Sequence, residues 1–367
     1  MEDKNKIILS GYYGFDNSGD DAILKAVISD LKIEDENLHI TVFSKNPDKT
    51  KKNYGVKSID RFNIISIIKE IYNTDVFISG GGSLLQDVTS TKSIIYYLAL
   101  IYISKILNKP VMVYANGIGP INRKFNRFLT KKMLNKVDKI SLRDVNSKKT
   151  VEDLGVKNKN ITVTADPVYT LKPADKKRVK EILNYENIPT DKPLIGVAIR
   201  DWNNSDKLLK VIPEAIDYIS NNYNANVILI PMHYPEDLRI SKKAIALTKT
   251  DCFLISEKYS VEELMGVINN LEMIIAMRLH SLIYAATQAV PMVGIVYDPK
   301  VDGFMDTIGL ESKINIDELE KVELFTKIEN VWNNKTKINK HLLESREKFR
   351  EKAHENVEMV LDLLKSR

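Results

Sequence analysis

The chain has 367 residues, of which 44% are hydrophobic and 28% are charged, a balance typical of globular proteins. Its net charge of +5 is too small to predict nucleic-acid binding, and its single cysteine excludes an internal disulfide. The N-terminal residues lack the apolar core and cleavage site of a signal peptide, so we expect a cytosolic protein. The longest apolar run, at 94–103, is too short to span a bilayer.

Short apolar segments alternate with longer helical patterns through the first part of the chain. Continuous apolar strands between helices are typical of parallel βαβ units. The segment 18–32 predicts the first helix, because apolar residues recur at helical spacing and acids stand in its first turn. The segment 94–107 is apolar nearly all round and predicts a buried helix. The predicted strands of this part lie within 6–14, 38–44, 75–82, 110–119 and 139–144.

A polar, proline-containing passage at 160–178 predicts the connection between two domains. The alternation then starts again, with helical patterns at 207–223 and 260–271 and one or two charged amphipathic helices at 332–367. The predicted strands of this part lie within 193–202, 225–233, 272–280 and 291–300.

These patterns together predict an α/β fold of two Rossmann-like, doubly wound domains that face each other across a cleft. We expect an N-terminal domain at 1–170 and a C-terminal domain at 171–330. A helical tail at 331–367 is expected to pack back on the N-terminal domain.

Ligands of open α/β sheets bind beyond the carboxyl ends of the strands, so polar residues there are the candidates. The first candidate is "SGYYGFDNSGDDA" at 10–22, a Gly- and Asp-rich turn between a strand and a helix. Its glycines would let the backbone approach a ligand, and the helix N-terminus favours an anion. The spacing fits neither the dinucleotide fingerprint nor the Walker A motif. The alternative is that Asn17, Ser18 and Asp20 only cap the helix.

A second candidate is the glycine run of "SGGGSLLQD" at 79–87, which follows a predicted strand and is expected to precede a helix. Ligand contact and close helix–sheet packing are equally good explanations of this run. The motif "NGIGP" at 116–120 has the same two explanations and is less specific.

Three arginines, Arg143, Arg200 and Arg278, stand at the ends of predicted strands. A guanidinium matches a carboxylate or phosphate bidentately, so three of them in equivalent places predict a small, multiply charged anion. The alternative for the first two is ion pairing with the neighbouring Asp144 and Asp201, whereas Arg278 has no acid within five residues.

His280 follows Arg278 by two positions and stands before "SLIYAATQ". Histidine is suited to proton transfer near neutral pH, and the neighbouring Arg278 favours a functional role over an ordinary core histidine. We expect Ser281 to cap the following helix and to place His280 at its N-terminal edge. His233, at the end of another predicted strand, is a weaker candidate, and Lys300 could reach the same anion.

These motifs, taken in chain order from about residue 7 to about residue 310, resemble the polysaccharide pyruvyl transferase family, and most closely its bacterial CsaB type. Each motif is weak alone, but the ordered set is specific. The motifs are "LSGYYGFDNSGDDAIL", "FISGGGSLLQD", "ANGIGP", "ISLRD", "TADPVY", "VAIRDW", "IPMH", "AMRLHSLIYA" and "YDPKV".

The resemblance implies a fold similar to GT-B glycosyltransferases and phosphoenolpyruvate as a co-substrate. We expect no cofactor and assign no residue to a metal site, and the sequence does not determine whether a metal ion is needed. It implies an acceptor from secondary cell wall polysaccharide synthesis, a disaccharide on a polyprenyl diphosphate with N-acetylmannosamine as the modified sugar. The product would carry a pyruvate ketal, the group that S-layer homology domains recognise.

Carried onto this sequence, the resemblance implies catalytic roles for His280, Arg278 and Asp16. The donor site would consist of Arg143, Arg278, Leu279, His280 and Lys300. Residues with an acceptor-binding or structural role would be Gly14, Asn17, Ser18, Asp20, Gly81, Gly82, Arg200 and His233.

A lipid-linked acceptor implies transient binding at the cytoplasmic membrane face. The segment 122–139 fits this expectation, because Phe125 and Phe128 are interspersed with lysines and arginines. The alternative, a core helix with a solvated basic face, stays open. Nucleic acid is not an expected partner, and the sequence does not determine the oligomeric state.

Two other functions are compatible with the predicted architecture. A GT-B glycosyltransferase or a sugar-nucleotide epimerase would share the fold and the glycine-rich turns, but should bind a nucleotide in the second domain. A carbohydrate-binding protein without catalysis would not need several convergent basic groups. We therefore expect an enzyme that acts on a small anionic donor.

Overall fold

The structure is a computed structural model that describes residues 5–88, 90–203 and 205–366. The chain divides into two compact units. Unit 1 takes the described residues through Thr170 together with those from Phe349 onward, and unit 2 runs from Leu171 to Lys348.

Unit 1 is built on one parallel sheet of eight strands. The strands are β1 Lys6–Ser10, β2 His39–Ser44, β3 Lys57–Asp60, β4 Val76–Ser79, β5 Gly82–Leu85, β6 Val111–Ile118, β7 Lys139–Leu142 and β8 Ile161–Val163. Their order is β3-β2-β1-β4-β6-β7-β8, with β5 paired to β6. The order reverses between β1 and β4, which is where ligands of doubly wound sheets bind.

Six helices of unit 1 connect these strands. They are α1 Ser18–Glu34, α2 Pro47–Tyr54, α3 Ile64–Asn73, α4 Thr91–Ile106, α5 Lys124–Leu134 and α6 Val145–Asp153. Helix α1 begins where predicted, because the Asn17 side chain accepts a hydrogen bond from the Gly19 backbone N–H at 3.0 Å. Buried residues of α3, α4, α5 and α6 share one hydrophobic core with β1, β4, β6 and β7.

Two predictions about unit 1 are wrong in detail, and a third, the connection that contains the unit boundary after Thr170, is incomplete. The glycine run after β4 leads into β5 rather than directly into a helix, because β5 extends the sheet along β6. Helix α4 is not buried all round: Ile95, Tyr102 and Ile106 are exposed. The passage 160–178 is more than a connection, since it contains β8 and a short 3-10 helix, Pro167–Thr170, that belong to unit 1.

Unit 2 contains a second parallel sheet, of six strands. The strands are β9 Leu194–Ala198, β10 Asn226–Leu229, β11 Cys252–Leu254, β12 Met273–Ala276, β13 Met292–Val296 and β14 Lys313–Asn315. Their order, β11-β10-β9-β12-β13-β14, is the order of a Rossmann fold, with its switch point between β9 and β12.

Helices of unit 2 cover both faces of this sheet, as expected for a doubly wound topology. They are α7 Lys176–Tyr185, α8 Ser205–Tyr223, α9 Glu236–Ile245, α10 Val261–Asn269, α11 Leu279–Thr287, α12 Pro299–Thr307 and α13 Lys321–Asn333. A short 3-10 helix, Ile316–Glu318, precedes α13.

The last helix, α14 Lys335–Lys365, contains the final unit boundary, after Lys348. Its unit 1 portion is held by buried Asn356, whose side chain accepts from the Thr164 hydroxyl at 2.8 Å and donates to the Ala165 carbonyl at 3.3 Å. The Phe349 ring packs on Tyr169 with a centroid distance of 5.1 Å. No helix within the described ranges is long and apolar enough to cross a bilayer.

Candidate functional site

Three neighbouring strands of unit 2 place basic side chains at one sheet edge. Strand β12 lies between β9 and β13, with Ala276 paired to Ala198 on one side and to Gly294 on the other. Arg200 and Arg278 each stand two residues beyond the paired alanines, so both leave the sheet at the same level. Arg200 and Arg278 therefore occupy equivalent positions at the ends of neighbouring strands, as predicted.

The Arg278 guanidinium is held by Asp237, a fully buried carboxylate on α9. Nε of Arg278 donates to Oδ2 at 2.9 Å, and Nη2 donates to Oδ1. Oδ2 also accepts from the backbone N–H groups of Met232, at 3.2 Å, and His233, at 3.0 Å. A guanidinium has five N–H donors and Asp237 uses two, and Nη1 of Arg278 has no hydrogen-bond acceptor among the residues that the structure describes.

Asp237 is a residue that the sequence reasoning missed. Arg278 does have an acidic partner, but the partner is distant in sequence and comes from a different helix. The sequence does contain a pattern that indicates burial of Asp237. This residue precedes Ile240 and Ala244 by three and seven positions, which is the spacing of one helix face. All three residues are buried on that face of α9.

Arg200 and Lys300 both approach the ring of Tyr297, which follows β13. Nη1 of Arg200 donates to the Tyr297 hydroxyl at 3.0 Å, and its guanidinium lies 4.8 Å from the ring centroid. Nζ of Lys300 lies 5.9 Å from the same centroid and 3.5 Å from Oδ2 of Asp298. The two cations thus share one aromatic neighbour at the edge that also carries Arg278.

His280 lies in the first turn of α11, where the helix dipole favours a negatively charged ligand. The N-cap is Arg278 and buried Leu279 is the first helical residue. The prediction that Ser281 caps this helix is wrong: its hydroxyl donates to the Arg278 carbonyl at 2.6 Å from inside the helix. The half-buried His280 ring meets Tyr284 edge-on, with 6.4 Å between centroids.

His233 is the remaining predicted residue of unit 2. Its backbone is fixed by Asp237, and its Nδ1 lies 3.7 Å from Oε2 of Glu236. Unit 2 therefore places Arg200, Arg278, His280 and Lys300 at one sheet edge. The backbone N–H of His233 donates to Asp237, the same carboxylate that binds Arg278.

In unit 1 the corresponding edge is filled by a side chain of the protein itself. Tyr13 is buried between the ends of β1 and β4. A Cβ at Gly11 would lie 2.3 Å from Cζ of Tyr13, and one at Gly80 would lie 2.3 Å from its hydroxyl. Burial, together with the charge of Asp20, raises the pKa of the Tyr13 hydroxyl well above its usual value. These two glycines admit the tyrosine ring.

The other glycine positions predicted in unit 1 have packing explanations as well. A Cβ at Gly81 would lie 2.8 Å from a methyl group of Ile23 on α1, which is close helix–sheet packing. Gly14, with φ +81°, lies against Ser44, and Gly82, with φ +92°, lies near the Asp20 carboxylate. Their predicted contact with an acceptor stays a prediction.

The acidic turn of unit 1 holds its predicted residues in defined positions. Asp16 has a positive φ of 60° and forms an ion pair with Lys49 at 2.5 Å. Asn17 caps α1, Ser18 is its first residue, and Asp20 lies in its first turn. Of the three residues considered as possible helix caps, Asn17 is the one that caps α1. The catalytic role of Asp16 stays a prediction.

Arg143 follows β7 in unit 1 and is almost completely buried. Nη2 donates to the Ser83 hydroxyl at 2.9 Å, and Nη1 lies 3.4 Å from Oδ2 of Asp166. Nε lies 3.5 Å from Oδ2 of Asp144, the neighbour considered as its ion-pair partner. Arg143 thus forms ion pairs with acidic residues of unit 1, which was the alternative to a ligand-binding role. Donor binding by Arg143 stays a prediction.

Arg61, which follows β3, is a second residue that the sequence reasoning missed. It is 5% exposed and donates to the Gly11 carbonyl at 3.0 Å and to the Tyr97 hydroxyl at 3.2 Å. Within the described part of the chain, no carboxylate lies within ion-pair distance of it. Four aromatic rings surround its guanidinium at centroid distances of 4.6 to 5.6 Å: Phe15, Phe62, Tyr96 and Tyr97.

Among the described residues, no group of three or more histidine, cysteine and acidic side chains could hold a metal ion. The unit 2 edge presents cationic side chains beside one imidazole. Such a set binds a small anion and can exchange a proton with it.

Comparison with known proteins identifies the family. The model of the polysaccharide pyruvyl transferase family matches residues 17–299, most of the chain. The chain belongs to the polysaccharide pyruvyl transferase family. Another similar protein is the amylovoran biosynthesis protein AmsJ of Erwinia amylovora, 21% identical over 94% of this chain and 96% of AmsJ. The predicted resemblance is confirmed for the family and for a role in polysaccharide biosynthesis.

Two solved structures with a similar fold are a protein bound to UDP-glucose and a protein described as a UDP-N-acetylglucosamine 2-epimerase. HepE of Anabaena, solved in complex with UDP-glucose, superposes with a TM-score of 0.68 at 11% identity and covers 97% of this chain and 99% of its own. A UDP-N-acetylglucosamine 2-epimerase described as putative, from Listeria monocytogenes, gives 0.65 at 13% identity, covering 93% and 91%. The predicted α/β class with two Rossmann-like units, similar to GT-B proteins, is confirmed.

Proposed function

We propose that the protein is a CsaB-type pyruvyl transferase that uses phosphoenolpyruvate. It transfers the pyruvyl group to a sugar of a lipid-linked secondary cell wall polysaccharide precursor, with N-acetylmannosamine as the modified sugar. The product is a pyruvate ketal of the kind that anchors S-layer proteins, and phosphate is released. The observation that carries the proposal is the group of Arg200, Arg278, His280 and Lys300 at one sheet edge in a member of this family.

Donor binding in this proposal uses the cations of unit 2. Phosphoenolpyruvate carries a carboxylate and a phosphate on adjacent positions, and both are ligands for guanidinium groups. The open edge of Arg278, oriented by Asp237, takes one of these groups, and Lys300 takes the other. The N-terminus of α11 adds a fixed partial positive charge to the same place.

The chemistry begins with proton transfer from the His280 imidazolium to the methylene carbon of the donor. This step converts the enol carbon into an oxocarbenium-like centre. A sugar hydroxyl adds to that centre, and its proton returns to the neutral imidazole. Phosphate then leaves, a second hydroxyl closes the ketal ring, and the proton of that hydroxyl passes to the departing phosphate. Fixed cations at the leaving group stabilise this transition state by several kcal/mol, of the order measured for oxyanion donors.

The role of His280 has a direct test. His280→Ala should lower kcat by a factor of about 100 or more, because the proton donor is lost, while the dissociation constant of phosphoenolpyruvate changes little. Phosphate release and the mass of a disaccharide acceptor measure turnover, and calorimetry measures donor binding. The matched control is His39→Ala, an exposed histidine in unit 1. Near-normal turnover of the His280 variant would remove it from the acid role.

A glycosyltransferase or epimerase acting on nucleotide sugars is the second candidate, because structures of that kind superpose on this chain. The same assay with UDP-linked sugars in place of phosphoenolpyruvate separates the two. Transfer or epimerisation with nucleotide sugars alone, without phosphate release from phosphoenolpyruvate, would replace the proposed function.

A further inference from the structure

Helix α3 directs most of its isoleucines away from the core. Only Ile67 and Ile71 of this helix are buried. Ile65 is 83% exposed, and the same outward surface contains Ile64, Ile68 and Tyr72. The core of unit 1 does not explain these side chains, because a surface helix normally places polar residues there.

The two neighbouring helices continue the exposed apolar surface. Helix α4 exposes Tyr102 and Ile106, the latter at 58%, and helix α5 exposes Phe125, at 63%, and Phe128. Ile95 of α4 is exposed as well, at 39%. Single exposed apolar residues are common in soluble proteins, but three adjacent helices that each expose several are not.

The three helices lie side by side on one face of the unit 1 sheet. Helix α4 packs against both α3 and α5, and all three contribute buried residues to the same core. The strand order agrees, because β3 to β4, β4 to β6 and β6 to β7 all cross the sheet in the same direction. Right-handed crossovers in one direction place their helices on one face. We name the exposed residues of α3, α4 and α5 the three-helix face.

The three-helix face is strongly basic. Its helices contain a single acidic residue, Glu70, which is paired with Lys57 at 2.5 Å. Two lysines beside the helices lie over exposed rings: Lys109 over Tyr72 at 5.8 Å and Lys136 over Tyr102 at 5.9 Å. The basic residues of the helices are Lys69, Lys92, Lys105, Lys124, Arg127, Lys131 and Lys132, of which Lys105 is paired with Asp138 at 2.7 Å.

We propose that the three-helix face docks on an anionic lipid surface. Apolar side chains surrounded by lysines and arginines match an acyl boundary below negatively charged headgroups, with the long basic chains reaching up to the headgroups. A second copy of the chain fits less well, because an isologous contact would bring the same positive charges together. The inference extends the expected contact of residues 122–139 to two further helices, and it rests on the proposed function for its purpose, access to a lipid-linked acceptor.

The experiment is flotation of the full-length protein with vesicles. Phosphatidylcholine vesicles are compared with vesicles that also contain phosphatidylglycerol, at low and high salt. Wild-type protein should float only with the anionic vesicles, and less at high salt. The triple variant Ile65→Gln, Ile106→Gln, Phe125→Gln should lower the partition coefficient about a hundredfold or more, because three exposed apolar anchors are lost.

Matched variants test which surface is responsible. Ile33→Gln, Leu247→Gln and Val322→Gln change equally exposed apolar residues elsewhere and should float like the wild type. Lys124→Gln with Lys132→Gln should lower binding about thirtyfold, since each basic residue near the surface contributes separately. Lys340→Gln with Lys348→Gln on α14 is the charge control. All these positions are on the surface, so circular dichroism should show native folds.

The outcomes separate docking from catalysis. Equal flotation with neutral and anionic vesicles, or wild-type flotation by the triple variant, overturns docking through the three-helix face. If the wild type does not float but self-associates, and the triple variant does not self-associate, then the three-helix face binds a second copy of the chain instead of lipid. Pyruvyl transfer to a soluble disaccharide without flotation leaves the proposed function intact, whereas flotation without any transfer overturns that function and leaves docking standing.

Discussion

At the scale of single residues, the pair of Arg278 and Asp237 fixes the best-defined cation of the unit 2 edge. A buried carboxylate that also accepts two backbone N–H groups fixes the guanidinium plane. Nη1, which has no acceptor within the described ranges, is then oriented before any ligand arrives. Pre-orientation of this kind reduces the ordering that binding requires, so under the proposed function Asp237 is a positioning residue for the donor.

Asp237→Asn should weaken donor binding more than turnover. The amide keeps the shape of the carboxylate but presents N–H groups to Arg278 and leaves its charge uncompensated. We expect the KM for phosphoenolpyruvate to rise tenfold or more with a smaller change in kcat, and a loss of about 3 kcal/mol in unfolding free energy. Steady-state kinetics and urea unfolding measure the two effects, with exposed Asp251→Asn as control. An unchanged KM would contradict the positioning role.

Arg61 is the residue that fixes the glycine- and aspartate-rich turn in unit 1, through its hydrogen bond to the Gly11 carbonyl. Arg61→Lys should cost about 2 kcal/mol of unfolding free energy, because an ammonium keeps the buried charge but cannot serve both acceptors and stack among the rings. Arg127→Lys is the matched control, since Arg127 likewise donates two hydrogen bonds, both to backbone carbonyls at 3.2 Å, on the surface of α5. Equal losses for the two variants, measured by urea unfolding, would show that the ring contacts contribute nothing.

At the scale of elements, α1 carries a buried acid where it meets α14 of unit 1. Burial raises the pKa of Asp30 to about 6, opposed by a hydrogen bond from Thr170 at 2.7 Å and by the charges of His354 and Arg350, while Glu34 raises it further. The raised pKa means that the folded state binds this proton more tightly than the unfolded chain does. The stability it contributes is complete below about pH 4 and is lost as the pH rises through 6.

Asp30→Asn should therefore flatten the pH dependence of stability. Between pH 4.5 and pH 7 the wild type should lose about 2 kcal/mol more unfolding free energy than the variant does. Urea unfolding at the two pH values measures the difference, and Glu36→Gln, an exposed acid near the same helix end, is the control. Parallel pH profiles for the wild type and Asp30→Asn would show that Asp30 titrates normally.

The elements also show which structural features the sequence predicts. Strands β1, β2, β4, β6 and β7 lie within the predicted segments, because continuous apolar runs between turn residues have few other interpretations. Helix α4 is predicted to be buried all round because its exposed positions are as apolar as its buried ones. The sequence pattern therefore does not distinguish the exposed face of this helix from the buried face. Residues held by tertiary contacts, such as Asp237 and Arg61, could not be paired with their partners from local patterns alone.

At the scale of the whole molecule, two sheets with Rossmann-like strand order are joined in one chain. This architecture is shared with an epimerase and with a protein that binds UDP-glucose, at 11–13% identity. The fold therefore does not determine the reaction, and the family match over residues 17–299 carries the functional assignment. The position of Arg200, Arg278 and Lys300 at one sheet edge could be predicted because strand ends in this topology converge, whereas the contact that orients Arg278 required the structure.

Tyr13 has a further consequence for how this family member can change. Its ring occupies the space that side chains at Gly11 and Gly80 would otherwise take, so these three positions form one coupled set. A larger residue at either glycine is sterically compatible only with a smaller residue at position 13. Evolutionary substitutions at these positions therefore have an order: Tyr13 must be replaced by a smaller residue before either glycine can be replaced by a larger one. A descendant that lost the ring would gain an opening at the switch point of unit 1, and with it room for a new ligand.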